Sequence, residues 1–226
     1  MANNTLKEQE SLQQEKINET VSKAEQFLNE NKTPILGTVA AVLVAGLLIL
    51  AYNQFILKPK QNEAMEQMFP AEASFQAQAY EIALNGDGNV LGFKDIINNY
   101  GKKAGSAVYF YAGVCELQLG NYQNAIDQLK KYNGKENILA ARALACIGDA
   151  YVGLNDLNTA VSYFQKAADK SNNTFSAEYL LKEGITYEEL GNNEKALACY
   201  NIIKDQYPQS VEGYDIDKYI ERISAK

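Results

Sequence analysis

Leu144-Ala-Cys-Ile-Gly148-Asp-Ala-Tyr151-Val-Gly-Leu-Asn155-Asp-Leu-Asn-Thr-Ala160-Val-Ser-Tyr-Phe164-Gln-Lys-Ala167 decides the fold, because the chain repeats it on both sides. Upstream stands Tyr109-Phe-Tyr-Ala-Gly113-Val-Cys-Glu-Leu-Gln-Leu-Gly120-Asn-Tyr-Gln-Asn-Ala125. Downstream stands Leu180-Leu-Lys-Glu-Gly184-Ile-Thr-Tyr187-Glu-Glu-Leu-Gly191-Asn-Asn-Glu-Lys-Ala196-Leu-Ala-Cys-Tyr200, reaching Pro208. Gly113, Gly148 and Gly184 are 35 and 36 residues apart, and Ala125, Ala160 and Ala196 keep the same spacings. The turns Leu-Gly-Asn-Tyr, Leu-Asn-Asp-Leu and Leu-Gly-Asn-Asn align between them. A fixed period of this length is the signature of stacked helical hairpins. A small residue lets two helices approach, a large one fills the space beside them, and the Gly or Asn turn ends the first helix in a left-handed conformation. One hairpin cannot bury its own apolar face, so hairpins stack.

The pattern resembles the tetratricopeptide repeat. The first unit departs from it, with Glu116 where the family usually has Tyr and Leu129 where it has an aromatic. The resemblance implies an all-α solenoid of about three and a half repeats, at 106–134, 141–170 and 177–208. Residues 65–101 read as a degenerate repeat. There Ala73, Ala77, Tyr80, Ala83 and Leu84 follow helical spacing, Asn85-Gly-Asp-Gly-Asn89 breaks the chain, and Phe93, Ile96, Ile97 and Tyr100 resume it. Residues 211–225 read as a charged capping helix with Tyr219, Ile220 and Ile223 turned inward.

Before the repeats, Thr33 to Leu57 carries no charge. A bilayer core needs about 20 mostly apolar helical residues, so this segment is expected to span a membrane once. Lys32, Tyr52, Lys58 and Lys60 flank it as interface residues do. A cleaved signal peptide would lie at the extreme N-terminus with a shorter apolar core, and no cysteine follows to carry a lipoprotein anchor. Lys16, Lys23 and Lys32 before the span outnumber Lys58 and Lys60 after it, which favours a cytoplasmic N-terminus by one charge. Gly37, Ala41 and Ala45 form a row of small residues able to pack on another span. Residues 1–32 form a polar tail, in which Ile17, Val21, Ala24 and Leu28 share one helix face.

Composition limits the chemistry. The net charge is −7 and Lys and Arg form no cluster in the sequence, so a nucleic-acid partner is not expected. With no histidine among the 226 residues, His-based triads and His metal sites are excluded. Cys115, Cys146 and Cys199 match no zinc or redox spacing and read as buried hydrophobes. One pairing stays open if the domain faces an oxidising compartment. Gly86-Asp-Gly88 has no strand before it and reads as a turn, not a phosphate loop. Asp215 and Asp217 sit at a helix start, where carboxylates complement the dipole. No enzyme, cofactor or metal site is expected.

The family's groove positions, carried across by alignment, are Phe110, Val114 and Leu117 in the first repeat. They are Arg142, Ala145, Asp149 and Val152 in the second, and Glu178, Leu181, Ile185 and Glu188 in the third. That face, apolar at one end and acidic at the other, suits an extended or helical peptide with apolar anchors, though helical spacing alone does not separate groove from core for Phe110, Leu181 and Ile185. The Lys/Asn pattern that clamps a C-terminal carboxylate in some family members is absent. The layout as a whole is similar to the YfgM-type proteins of Gram-negative bacteria, with Gln26-Phe-Leu-Asn-Glu-Asn31 in place of their tail motif. That resemblance implies an inner-membrane protein with periplasmic repeats, accompanying the Sec translocon and periplasmic chaperones. An envelope scaffold in cell division or outer-membrane assembly is the alternative.

Overall fold

The structure, a computed structural model, describes Lys16 and residues 18–225. The tail before Lys16, and Ile17 on its expected apolar face, lie outside the described residues. Two units divide at Lys58 and Pro59. In the first, α1 covers residues 18–30, and the chain bends at Asn31 before α2 (Lys32–Tyr52). Pro34 falls in the first turn of α2, where its missing N–H costs no hydrogen bond. A single π-helical turn, Asn53–Leu57, follows. No residue of α2 is buried, and Leu36, Leu43, Leu47 and Leu50 all stand exposed. The helical run opening at Lys32 is long and apolar enough, by length and composition, to cross a bilayer.

The second unit is all-helical among the described residues. It opens with α3 (Lys58–Gln76), α4 (Tyr80–Asn85) and α5 (Phe93–Tyr100). The Asp87 side chain stabilises the loop between α4 and α5, accepting from the N–H groups of Asn89 (2.9 Å) and Val90 (3.0 Å). A 3₁₀ turn at Gly101–Ala104 leads to three hairpins: α6 (Ala107–Gln118) with α7 (Tyr122–Leu129), α8 (Asn137–Gly153) with α9 (Leu157–Ser171), and α10 (Ser176–Glu189) with α11 (Asn193–Gln206). Helix α12 (Val211–Ser224) closes the stack, burying Ile216 and Ile223 against the last hairpin, with Tyr219 and Ile220 half-buried beside them.

The three turns inside the hairpins repeat one geometry. Gly120, Asn155 and Gly191 all have positive φ, between +60° and +77°. The next residue's N–H reaches back to the carbonyl of Glu116, Tyr151 or Tyr187 at 2.8–2.9 Å, and the turn residue's own N–H bonds to Leu117, Val152 or Glu188. This paired closure satisfies carbonyls that the helix end would leave orphaned. The second helices then start on side-chain caps at Asp156 and Asn192, each accepting from a backbone N–H at 3.1 Å. The same turn chemistry therefore ends one helix and starts the next.

Side-chain size sets the distance between paired helices. A Cβ built on Gly113 would lie 2.5 Å from Leu129, and one on Gly148 would lie 2.6 Å from the ring of Phe164; Gly184 meets Tyr200 in the same way. These partners are the large residues at one register of each second helix, and all three are buried. Ala125, Ala160 and Ala196 are fully buried within the same hairpins.

One core position breaks the pattern. Glu183 stands in the register that Ala112 and Ile147 fill in the other repeats, and it is 3% exposed. Its Oε2 has no hydrogen-bond partner. Burial, with the Asp169 carboxylate of α9 adding to it, pushes the Glu183 carboxyl up to about 7, while Lys195 of α11 pulls the other way. Tyr187 of its own helix and Cys199 of α11 are its other titratable neighbours.

Gly148→Ala will lower unfolding stability by about 1–3 kcal/mol, measured by urea titration, because the packed Phe164 ring has no room to retreat. For Glu183 the unfolded carboxyl ionises near its ordinary value, while the folded one holds its proton to about 7. Stability from this site is therefore complete at low pH, is lost as pH climbs between those values, and is flat above them. Glu183→Gln will remove that loss, raising stability near pH 8 by roughly 2–3 kcal/mol with little change near pH 4; equal unfolding midpoints for the two proteins at both pH values would refute it.

Candidate functional site

The first helices carry the residues expected to face a partner; α6 packs on α8, and the Asp149–Lys182 ion pair joins α8 to α10. Phe110 is 5% exposed and belongs to the core, its ring 5.8 Å from those of Tyr111 and Tyr132. Ala145 is also buried. Val114, Leu117, Val152, Leu181 and Ile185 are half-buried, each with part of its apolar surface left open. Arg142 and Glu178 are exposed. Val114 and Leu117 on α6, Val152 on α8, and Leu181 and Ile185 on α10 thus each keep part of an aliphatic side chain open.

Its charges are not left to a partner alone. Asp149 of α8 takes Lys182 of α10 on both carboxylate oxygens, at 2.9 and 2.7 Å, and Glu178 approaches the same ammonium at 4.0 Å. The Lys182 ammonium lies 6.0 Å from the centre of the Phe164 ring. Glu188 accepts the Tyr200 hydroxyl at 2.7 Å and pairs with Arg222 of α12. Arg222 in turn sits over the Tyr219 ring at 4.9 Å. The expected acidic end is thereby partly neutralised from within. Lys182 was readable as the residue one turn beyond Glu178, whereas Arg222 comes from outside the repeats and no repeat alignment points to it.

Glu116 occupies the register of Tyr151 and Tyr187, which has a physical reason. It is 1% exposed, and Lys94 of α5 meets it at 3.0 Å. Asn121 donates to its other oxygen at 2.8 Å. Asn121 immediately precedes α7, yet its side chain does not cap that helix. It is committed to Glu116 instead. This pair ties α5 to the first full hairpin through a buried charge that would be costly alone. In the second repeat Tyr151 stacks on Tyr163 at 5.4 Å, and in the third Tyr187 faces Lys195 at 5.2 Å.

Cys115, Cys146 and Cys199 are free thiols, and desolvation pushes each up to about 12. Such thiols stay protonated and act as packing groups. Among the described residues no three His, Cys, Asp or Glu side chains come together to hold a metal ion. The arrangement offers contact surface and fixed charge, the means of binding a polypeptide.

One tetratricopeptide-repeat family model matches residues 107–135 and 178–210, and a second matches residues 141–169. No curated protein matches the sequence. Among solved structures, a crystal structure of MamA is similar over 69% of this chain and 92% of its own, at 18% identity and a TM-score of 0.51. A second crystal structure of the MamA protein is similar over 73% of this chain and 90% of its own, at 18% identity and a TM-score of 0.52. At that identity the likeness concerns the fold. The chain contains tetratricopeptide repeats in an all-helical solenoid-like fold, and such repeats are protein-interaction modules, typically without catalytic activity.

Lys94→Met will strand the Glu116 carboxylate and cost about 1–2 kcal/mol. The low end applies because Lys94 is itself 42% exposed. Adding Glu116→Gln will recover part of the loss, read from urea midpoints of the single and double variants.

Proposed function

We propose that this protein is a membrane-anchored holdfast for other polypeptides. The apolar helix beginning at Lys32 crosses the inner membrane of a bacterium once, with its N-terminus cytoplasmic. The repeats work in the periplasm, where they receive secreted or envelope proteins beside the Sec translocon and its chaperones. The observation that carries the binding role is the partial exposure of Val114, Leu117, Val152, Leu181 and Ile185 on the first helices of the three hairpins. Val114, Leu117, Val152 and Leu181 pack against the core on one side and stay partly open on the other, so an apolar segment can cover them without reorganising the hairpins. Support for the anchor comes from α2, whose leucines and valines meet no protein. Leaving that much aliphatic surface in water would cost far more than a solvated helix returns. Support for the direction of insertion is the one-lysine excess before the span. The place beside the translocon rests on the resemblance to the YfgM-type layout.

Protease added to intact spheroplasts will remove the repeats and spare the N-terminal tail. Repeats that survive until the inner membrane is opened would reverse the topology. Affinity capture of the full chain in mild detergent will bring down translocon or periplasmic chaperone subunits. Capture of cell-division or outer-membrane assembly proteins in their place would move the protein to an envelope scaffold.

A further inference from the structure

The fold assembles a basic recess that the sequence does not display. Lys102 lies in the 3₁₀ turn before α6, and Lys131 lies just beyond α7, almost a full repeat later. Both line one cavity of about 400 Å³, together with Gly105, Ser106, Tyr109 and Asn133. No acidic side chain is in that lining. Lys103 is next to Lys102, and Lys130 to Lys131. Among the ion pairs of the described residues none involves Lys102, Lys103, Lys130 or Lys131. Lys130 turns away to donate to the Tyr151 hydroxyl at 3.4 Å, so the two cations that line the recess are Lys102 and Lys131.

We propose that this recess is a second binding site, separate from the face of α6, α8 and α10, and that it takes Asp or Glu side chains of an acidic peptide segment. The Lys131 ammonium donates to Gln128 Oε1 at 3.5 Å and lies 5.7 Å from the centre of the Tyr109 ring, a cation–π contact with a residue of the lining. Lys102 supplies a second positive charge to the same space. Ser106 and Asn133 add neutral donors, and the Ser106 side chain makes no capping bond of its own at the start of α6. A carboxylate entering here would meet two ammonium groups and a hydroxyl, with no buried charge to displace. The recess contains no arginine fork of the kind that grips phosphate in two places. A side chain also fits a concavity of this size better than a flat array of lipid headgroups does. The site is independent of the groove proposal, since none of its lining residues is one of those partly open aliphatic residues.

Fluorescence anisotropy on the full chain in non-ionic detergent, titrating a labelled oligo-glutamate peptide, tests this. The double variant Lys102→Gln/Lys131→Gln will weaken binding by about 5- to 30-fold, the loss of two partly screened ion pairs. Lys166→Gln/Lys170→Gln on α9 removes the same charge elsewhere and will leave the affinity within about twofold. Equal losses in the two double variants mean attraction by overall charge and overturn the site. So does an unaltered affinity in the first. If phosphatidylglycerol vesicles bind through Lys102 and Lys131 while the peptide does not, the recess reads a membrane and the peptide assignment falls.

Discussion

Each full hairpin closes on the contact between a glycine in its first helix and a large buried side chain in its second. That contact fixes how near the two axes come, and everything outward follows from it. With Gly148 against Phe164, or Gly184 against Tyr200, the helices are close enough for Ala160 and Ala196 to be fully enclosed. The next hairpin then meets a surface already shaped to receive it. Leu129 in the first repeat shows that the constraint concerns volume more than aromaticity, because Gly113 meets it as its counterparts meet their rings.

Much of this could be read from spacing. The periodic Gly and Ala positions identify the hairpins, and the Gly/Asn turns take the expected left-handed backbone at Gly120, Asn155 and Gly191. These features were legible because each depends on residues a few positions apart or on a motif that recurs three times. The surface was less legible. Asp149, Glu178 and Glu188 read as an acidic end, but their counterions come from Lys182 and Arg222, and an ion pair between elements has no period. Phe110 shares its helix spacing with Val114 and Leu117, yet the tyrosines at 111 and 132 enclose it. The lysines at 102 and 131 look scattered in the sequence and become neighbours only once a hairpin has folded back.

Charge inside this fold is used in two opposite ways. Glu116 is buried and fully answered, by Lys94 on one side and Asn121 on the other. Glu183 is buried and poorly answered, with a carboxylate oxygen facing no donor. The first ties an irregular opening segment to the regular repeats. The second opposes the packing around it whenever it is ionised. Both occupy places that aliphatic or aromatic residues fill in neighbouring repeats, so neither is needed for the hairpin itself.

The bond between Glu188 and Arg222 joins α10 to α12 across the helix that lies between them in sequence. A stacked array normally frays from its tip, one layer at a time. Here the outermost helix and the innermost helix of the final layer clasp each other around α11, with the Tyr200 hydroxyl of α11 held on the same carboxylate. Fraying of α12 therefore breaks the Arg222 contact on a carboxylate that also holds the Tyr200 hydroxyl, so loss of the capping helix is felt one helix deeper, at α11.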